Sequence, residues 1–328
     1  MERSIREIYN ISNKAQFDVL AMDTFRFQAE RCKVYQSYLY LVGTDPKSVN
    51  SMEDIPFLPI ELFKTHTVYG GQEPAPHIFT SSSTTGMTPA KHHVADIYLY
   101  EESFTRAFDL FFGAPEHYAI LALLPSYLER PGSSLVYMVD KLMRLSGHAG
   151  NGFFLDNHND LYQNLCILQE QHIPTILFGV AFALLDFIRD HPVCFPELHV
   201  IETGGMKGRG IEITRTDLHQ RLNRGFGSRH IHSEYGMAEL LSQAYAIEGE
   251  RFKTPPQMRV SVRDLHDPFR IAPYGERGGI NIIDLANRFS CSFIETQDLG
   301  VAHSDDTFEV LGRIPYSELR GCNVLLEQ

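Results

Sequence analysis

The segment TILFGVAFALLDFIRDHPVCFPELHVIETGG, residues 175–205, decides the fold class of this 328-residue chain. Its opening run (175–180) is unbroken and apolar, which predicts a buried strand, and the stretch at 181–191 carries apolar residues at helical spacing. LHVIETGG (198–205) then predicts a second strand that ends in a glycine turn. Strand, helix and strand in this order indicate an α/β fold with a parallel sheet covered by helices.

The same alternation of strands and helices extends on both sides of this segment. HYAILALLP (117–125) predicts another buried strand, whereas GINIIDLA, CSFIETQDLG and TFEVLGR near the end predict short strands separated by turns. The apolar segment IPFLPIELFKTH (55–66) is expected to pack over the surface of the core. Helical patterns cover 14–40, 94–112, 133–147, 158–172 and 211–227. The chain thus predicts helix-covered sheets with a β-rich C-terminal part.

Composition and charge exclude several classes of protein. With 43% hydrophobic and 21% charged residues, the chain can bury a substantial core. A net charge of −12 argues against sequence-independent binding of nucleic acid. No apolar run approaches the roughly 20 residues of a membrane span, and the charged start MERSIREIYN is not a secretory signal. Five cysteines without a CxxC pair indicate reduced thiols in a cytoplasmic protein, with neither a disulfide framework nor a zinc site.

A loop rich in hydroxyl side chains lies in FTSSSTTGMTPAKHHV, residues 79–94. Clusters of Ser and Thr between periodic segments are common in surface loops. Alternatively, the short side chains let backbone N–H groups surround a polyphosphate, with the hydroxyls and Lys91 as further donors. Because neither GxxxxGK[ST] nor a strand-linked GxGxxG is present, the loop alone leaves both interpretations open.

Three later motifs give this loop a context. TGGMKG (203–208), EYGMAE (234–239) and TQDLGVAHSDDTFEVLGR (296–313) follow it in this order. Together the four motifs resemble the adenylate-forming ligase superfamily, whose members carry a TSGTTGxPK loop, a glycine turn beside adenine, and YGxTE, TGDxG and GRxD segments. FDVLAMDTFRFQAERCKVYQSYL (17–39) and the form of the phosphate loop are most similar to the phenylacetate–CoA ligase and acyl-protein synthetase (LuxE-type) branch.

The resemblance implies the large domain of these enzymes and an ATP-dependent reaction with Mg²⁺. A carboxylic acid would be joined to AMP with release of pyrophosphate, and the acyl group would then pass to a thiol. Lys91 is expected beside the phosphates, Tyr235 against the adenine, and Glu239 on the Mg²⁺. Asp298 is expected to accept hydrogen bonds from the ribose hydroxyls, and Arg313 to reach the ribose or phosphates. The residues expected to wrap the phosphates or to let the backbone approach the adenine are Ser82, Ser83, Thr84, Thr85, Gly86, Gly204 and Gly205.

Each of these roles has a plainer structural alternative. Glu239 could be a solvated charge favoured at a helix N-terminus, and Asp298 could be a turn residue before Leu-Gly. Tyr235 could simply pack against its neighbours, and Arg313 could be a surface arginine. The glycines at 204–205 could serve only as a tight turn. The residues themselves leave these alternatives open.

Four positions depart from the pattern of the family. Ser83 replaces the usual first glycine of the loop, which restricts the backbone there, and Ala238 replaces the threonine of YGxTE. Lys91 lies further from Gly86 than the family lysine does, and Pro315 stands at the hinge acid position. These departures favour nucleotide binding over fast adenylation. They motivate an alternative function, a nucleotide- or acyl-binding protein that has lost turnover.

The C-terminal segment GRIPYSELRGCNVLL (312–326) is most similar to the acyl-protein synthetase branch. Only 15 residues follow Arg313, so the mobile small domain of typical family members is expected to be essentially absent. Cys322 falls where that branch carries the acyl group as a thioester, with Gly321 giving backbone freedom and Arg320 stabilising a thiolate. Alternatively, Cys322 is a small buried side chain, or a separate chain completes an acyl-CoA ligase.

The resemblance also suggests domain boundaries, a substrate class and partners. We expect an N-terminal helical segment at 1–75, an adenylate-forming core at 76–312 and a short hinge-like tail at 313–328. The expected substrate is a carboxylic acid, by resemblance a fatty acid, in a pocket lined by LPSYLERPGSSLVYMVDKL (124–142). An acyl reductase, an acyl transferase or an acyl carrier protein is the expected partner. The sequence does not specify the oligomeric state.

Two histidine pairs, His92–His93 and His230–His232, raise the question of a metal site. Alternate residues of a strand face the same side, so His230 and His232 could reach one ligand. No cysteine or carboxylate lies at metal-ligand spacing beside them. The sequence therefore favours a structural role, or a place at the edge of the active site, over a metal.

Overall fold

A computed structural model of the chain describes residues 2–81, 88–124, 132–204 and 213–314. Contacts divide the chain into two compact units. Unit 1 comprises Met1–Ser103, Ala238–Ser242 and Lys253–Gln328, and unit 2 comprises Phe104–Met237 and Gln243–Phe252. The domain boundaries at 75 and 312 stay predictions.

The described residues form helices and strands that alternate through the middle of the chain. The helices are α1 (Glu2–Glu7), α2 (Lys14–Arg31), α3 (Lys33–Leu41), α4 (Leu62–Thr65), α5 (Ile97–Phe112), α6 (Ser134–Ser146), α7 (His158–Glu170), α8 (Ala181–Asp190) and α9 (Arg215–Phe226). The strands are β1 (Leu58–Pro59), β2 (His77–Thr80), β3 (Lys91–Val94), β4 (Ala119–Leu123), β5 (Gly152–Phe153), β6 (Thr175–Val180), β7 (His199–Thr203), β8 (His230–Tyr235), β9 (Ala244–Ala246), β10 (Phe252–Lys253), β11 (Met258–Arg263), β12 (Arg277–Asp284), β13 (Phe293–Ala302) and β14 (Thr307–Arg313). None of these helices has the length and apolar character required to cross a membrane.

Unit 2 is built on a parallel sheet. Strands β5, β4, β6, β7 and β8 run parallel in this order, and β9 pairs antiparallel with β8. Leu121, Leu177 and Phe187 are fully buried in the apolar core between strands and helices. Every residue of β4 is buried, which explains why its sequence is a continuous apolar run without alternation. The parallel α/β sheet predicted from residues 175–205 is confirmed.

Helix ends in unit 2 follow local sequence signals. The Ser133 hydroxyl accepts a hydrogen bond from the Val136 amide (3.4 Å) at the start of α6, which satisfies an otherwise unpaired donor. α6 ends at Gly147 with φ 65°, and α9 ends at Gly227 with φ 60°. Both glycines adopt the left-handed conformation that terminates many helices.

Unit 1 contains an antiparallel sheet in which β11, β12, β13 and β14 are neighbours in that order. β1 pairs with β13 in parallel, with Leu58 opposite Ile294. The sequence predicts the segment 55–66 over the surface of the core, but the structure places Leu58 in the sheet, where it is fully buried. The β-rich C-terminal part of the prediction is confirmed.

Helix α2 and the residues that follow it contact β13 through aromatic side chains. The ring centroids of Phe25 and Tyr35 lie 6.1 Å and 6.4 Å from that of Phe293. Burial of each such ring contributes roughly 1.5–3 kcal/mol to stability. The Gln28 side-chain amide donates hydrogen bonds of 3.0 Å to the backbone carbonyls of Asn287 and Arg288, so the N-terminal helices are joined to the last quarter of the chain.

Strands β2 and β3 form an antiparallel hairpin whose connection carries the hydroxyl run. Thr80 lies opposite Lys91 in the register. The Ser81 amide donates to the Ala90 carbonyl (3.1 Å), and the Ala90 amide donates to Ser81 Oγ (2.9 Å). This pair closes the loop, and residues 82–87 between them lie outside the described residues.

Candidate active site

Glu239 lies in a turn and is buried, with 6% of its surface exposed. A solvated charge at a helix N-terminus is therefore excluded. Burial raises the pKa of its carboxyl, while Arg313 and Lys64 oppose this shift and Asp298 adds to it. No cation among the described residues forms an ion pair with this carboxylate. Burying a carboxylate without a direct counter-ion costs folding free energy. Carboxyls buried in this way, with a raised pKa, are typical of functional positions.

A set of buried polar side chains holds the turn that carries Glu239. The Asp284 carboxylate accepts hydrogen bonds from the amides of Leu241 (2.9 Å) and Ser242 (2.8 Å). The Asn287 amide donates to the Glu239 carbonyl at 2.8 Å. Each hydrogen bond to a charged group contributes about 1.5–3 kcal/mol. The backbone on the C-terminal side of Glu239 is therefore fixed by side chains of the β12 end and the turn after it.

His92 holds the same turn from its other side. Its Nδ1 lies 2.9 Å from the Ala238 carbonyl, and its Nε2 lies 2.8 Å from Ser290 Oγ. Because a carbonyl can only accept, Nδ1 carries the proton, and Nε2 of the neutral ring accepts from the Ser290 hydroxyl. Burial lowers the pKa of His92 to about 4, consistent with a neutral ring. His92 is thus a positioning residue for the turn.

Asp298 and Arg313 form an ion pair on neighbouring strands. They are opposite each other in the register of β13 and β14, and Arg313 Nε lies 3.1 Å from Asp298 Oδ1. Asp298 lies inside a strand, so its interpretation as a turn residue is wrong. The Asp298 side chain is 12% exposed and that of Arg313 is 74% exposed. The pair therefore presents a shielded acceptor beside an accessible guanidinium, groups suited to ribose hydroxyls and to phosphate.

Lys91 begins β3, directly after the hairpin loop, and its side chain is exposed. Its charge lowers the pKa of the neighbouring His93, although burial of that ring is the larger cause. An exposed ammonium at the base of a loop of hydroxyls is available to an anion. The structure thus keeps Lys91 next to the loop in which the sequence predicts phosphate binding.

Unit 2 carries the other two described residues of the prediction, and both lie at the carboxyl ends of parallel strands. Gly204 follows β7 with φ 74°, a backbone conformation that favours glycine. Tyr235 ends β8, and its ring packs edge-on against Phe252 with centroids 5.9 Å apart. In open α/β sheets, ligands bind at this end of the strands. Tyr235 is only 8% exposed, so its packing is observed and its stacking on adenine stays a prediction.

The remaining predicted residues lie outside the described part of the chain. They are Ser82, Ser83, Thr84, Thr85, Gly86, Gly205 and Cys322, together with the hinge position Pro315. Their roles stay predictions. The sequence analysis missed Asp284 and Asn287. A polar residue at or after the end of an apolar strand gives no local signal of the distant backbone groups to which its side chain hydrogen-bonds.

Comparison with known proteins gives this geometry a context. No protein-family model and no curated protein matches the chain. A solved structure of a 2-hydroxyisobutyryl-CoA ligase with 2-HIB-AMP and CoA matches at TM-score 0.70 and 17% identity, covering 93% of this chain and 70% of the ligase. ATP-bound MatB from Rhodopseudomonas palustris matches at TM-score 0.54 and 17% identity, covering 72% of this chain. The chain has the fold of adenylate-forming ligases.

Each of these structural matches covers a larger share of the present chain than of the matched protein. An open conformation of the 2-hydroxyisobutyryl-CoA ligase matches at TM-score 0.69 and 16% identity over 90% of this chain and 69% of the ligase. The chain spans about half of MatB, 47% of its length. The helix-covered α/β fold predicted from the sequence, with its resemblance to adenylate-forming enzymes, is therefore confirmed at the level of the fold.

Proposed function

We propose that the protein is an ATP-dependent acid–thiol ligase that activates a carboxylic acid as acyl-AMP. The observation that carries this proposal is the buried carboxylate of Glu239, held in a fixed turn of a chain with the adenylate-forming fold. The solved structures of the same fold contain ATP in one case and 2-HIB-AMP with CoA in another. The proposal extends the chemistry named in those structures to this chain.

The Glu239 carboxylate is suited to supply one ligand to a divalent cation. Carboxylate oxygens are preferred ligands of Mg²⁺, and this carboxylate is buried without an ion pair to any described residue. When bound, Mg²⁺ would supply charge that stabilises the phosphates during transfer. The turn contributes orientation, because His92 fixes the carbonyl before Glu239 and Asn287 fixes the carbonyl of Glu239 itself.

Asp298, Arg313 and Lys91 would bind the nucleotide. Asp298 would accept hydrogen bonds from the ribose hydroxyls, a role that suits a carboxylate. The exposed guanidinium of Arg313 would turn from Asp298 toward the ribose or phosphates, and Lys91 would add a point charge beside the hydroxyl loop. Asp298, Arg313 and Lys91 would hold the nucleotide while the carboxylate oxygen of the acid attacks the α-phosphorus, and pyrophosphate leaves.

The acyl group would then pass to a protein thiol, with Cys322 as its acceptor and a fatty acid as its source. The sequence around Cys322 supports this step. Attack of the thiolate on the acyl-AMP carbonyl forms a thioester and releases AMP. An acyl reductase, an acyl transferase or an acyl carrier protein would receive the acyl group.

Exchange of pyrophosphate into ATP, measured across a panel of carboxylic acids of different chain length, tests the activation step. We expect Mg²⁺-dependent exchange with at least one acid, and we expect Glu239→Gln to lower it by about 100-fold or more, as for loss of one electrostatic group. Glu276→Gln is the matched control, because Glu276 is exposed. Absence of exchange with every acid, in a folded protein that binds ATP, would favour the alternative of a nucleotide-binding protein without turnover.

Labelled acid and ATP test the thiol step separately. We expect a hydroxylamine-labile label on the protein that is lost in Cys322→Ser and kept in Cys194→Ser, since Cys194 is an exposed free cysteine. A label that persists in Cys322→Ser would remove Cys322 from the reaction. Exchange without any protein label would instead indicate that CoA or a separate carrier accepts the acyl group.

A further inference from the structure

Unit 2 contains a cluster of three histidines that the proposed function does not use. His199 begins β7 and lies opposite His230, the first residue of β8, with His232 two residues further along the same strand. One ring nitrogen from each histidine lies within 4.8 Å of the others. In a search of the described residues for three or more histidine, cysteine or acidic side chains close enough together to share a metal ion, this cluster is the group found.

The geometry of the two inner histidines matches metal ligation. His199 Nδ1 lies 3.0 Å from His232 Nε2. Two nitrogens bound at about 2.0–2.1 Å to one tetrahedral ion lie about 3.3 Å apart. Metal binding therefore needs a small widening of the pair and a shift of the His199 proton from Nδ1, which donates to His232 Nε2, to the other ring nitrogen. His230 is exposed, and its ring stacks 4.7 Å from that of His199. A rotation of this accessible side chain brings its nitrogen to the same ion.

The His232 ring already makes the hydrogen bond to a backbone carbonyl that a metal-bound histidine commonly makes. His232 Nδ1 lies 2.7 Å from the Ile247 carbonyl, so Nδ1 carries the proton and Nε2 presents its lone pair toward His199. Ligating histidines commonly donate their other N–H to a backbone carbonyl in this way. The ring of His232 is also fixed by Phe112, whose centroid lies 5.4 Å away. The His232 ring is therefore already held with its Nε2 directed toward His199.

We propose that His199, His230 and His232 bind one transition-metal ion, with Zn²⁺ as the expected metal. Imidazole ligands suit Zn²⁺, Ni²⁺ and Cu²⁺, whereas Mg²⁺ and Ca²⁺ prefer oxygen. A three-histidine set leaves the fourth position of Zn²⁺ to water. The cluster lies at the amino ends of β7 and β8, whereas Gly204 and Tyr235 lie at their carboxyl ends. The ion joins two parallel strands and is structural.

The sequence does not reveal this site because its third ligand comes from another strand. His230 and His232 are recognisable as a pair with a spacing of two, but His199 is distant in sequence and meets them only through the register of β7 and β8.

The test uses the full chain without a polyhistidine tag, stripped with a chelator and then titrated with Zn²⁺ or Co²⁺. We expect one metal ion per chain, a visible Co²⁺ absorption typical of nitrogen ligation in a four- or five-coordinate site, and a rise in melting temperature with Zn²⁺. Mg²⁺ in excess should not compete. Activity of the enzyme is not needed for any of these measurements, so the result is independent of the proposed ligase function.

His230→Ala is the deciding variant, because an exposed side chain can be removed without loss of the fold. It should weaken Zn²⁺ binding by more than about 100-fold, beyond the 10–100-fold typical when a ligand only loses its hydrogen-bond partner. His266→Ala is the control, since His266 is exposed and outside the cluster. Wild-type protein that takes up no Zn²⁺ at micromolar concentration overturns the proposal, as does a His230→Ala variant that binds Zn²⁺ as tightly as the wild type.

Discussion

Replacement of Asp284 tests whether buried hydrogen bonds hold the turn that carries Glu239. The Asp284 side chain is fully buried and accepts hydrogen bonds from the amides of Leu241, Ser242 and Ala286 and from the Ser242 hydroxyl, at 2.7–3.1 Å. In Asp284→Ala the Leu241 amide keeps a second acceptor, Asn287 Oδ1 at 3.1 Å. The amides of Ser242 and Ala286 lose the hydrogen-bond acceptor that Asp284 provides.

Two buried amides without partners, at roughly 1–3 kcal/mol each, predict a loss of about 2–6 kcal/mol in the free energy of unfolding. This is a large part of the 5–15 kcal/mol typical of a domain, so Asp284→Ala could fail to fold. Asp284→Asn is the milder variant. Its side-chain oxygen can accept hydrogen bonds from the Leu241 and Ser242 amides, whereas its NH₂ faces the Ala286 amide and leaves that donor unpaired. We therefore expect the free energy of unfolding to fall by about 1–3 kcal/mol.

Urea unfolding followed by circular dichroism measures these differences. Asp186→Ala is the control, because Asp186 is an exposed carboxylate paired with Arg189 on the surface of α8, a pair expected to contribute about 1 kcal/mol or less. We also expect Asp284→Asn to weaken Mg²⁺-dependent binding of ATP, because the turn that presents Glu239 loosens. Equal stability of Asp284→Asn and wild type, with unchanged ATP affinity, would refute the proposed role of the carboxylate.

Three further predictions concern single side chains of unit 1. Because burial lowers the pKa of His92 from 6.5 to about 4, this residue binds a proton in the unfolded chain but not in the folded one, and it should contribute a fall of about 3 kcal/mol in stability between pH 6.5 and 4. Urea unfolding of wild type and His92→Gln across this range should show a flatter profile in the variant. Glu239→Gln should leave the metal-free protein equally or more stable at pH 7, since burial raises the pKa of that carboxyl; lower thermal stability would contradict this. Arg313→Lys should change stability by about 1 kcal/mol or less but weaken ATP binding measured by calorimetry, and unchanged affinity would remove Arg313 from the nucleotide site.

The sequence predicted the elements of unit 2 well because their signals are local. Buried parallel strands are continuous apolar runs, as at 175–180, and a glycine such as Gly147 ends a helix where its conformation requires it. β1 was missed for the opposite reason. Its pairing partner Ile294 lies far along the chain, and the short proline-containing strand has no periodicity of its own.

The residues of the candidate site were likewise predicted only in part. Glu239 and Asp298 were found through motifs, and their burial then excluded the plainer alternatives of a solvated charge and a turn residue. Of the side chains that hold the Glu239 turn, Asp284 and Asn287 were missed, whereas His92 was named and expected in a structural role or at the edge of the active site. Asp284, Asn287 and His92 act through long-range hydrogen bonds, and the residue types at those positions are equally compatible with a strand end, a turn and a metal ligand.

The discontinuous composition of unit 1 has a consequence for folding during synthesis. Unit 2 consists of Phe104–Met237 and Gln243–Phe252, so it is complete when the ribosome has passed residue 252. Unit 1 still lacks β13, the strand on which β1 pairs and against which Phe25 and Tyr35 pack. We therefore expect the N-terminal helices to remain unpacked, with their apolar faces exposed, until the last quarter of the chain has emerged. Chains stalled at residue 252 should bind holdase chaperones through their first hundred residues, and full-length chains should release them.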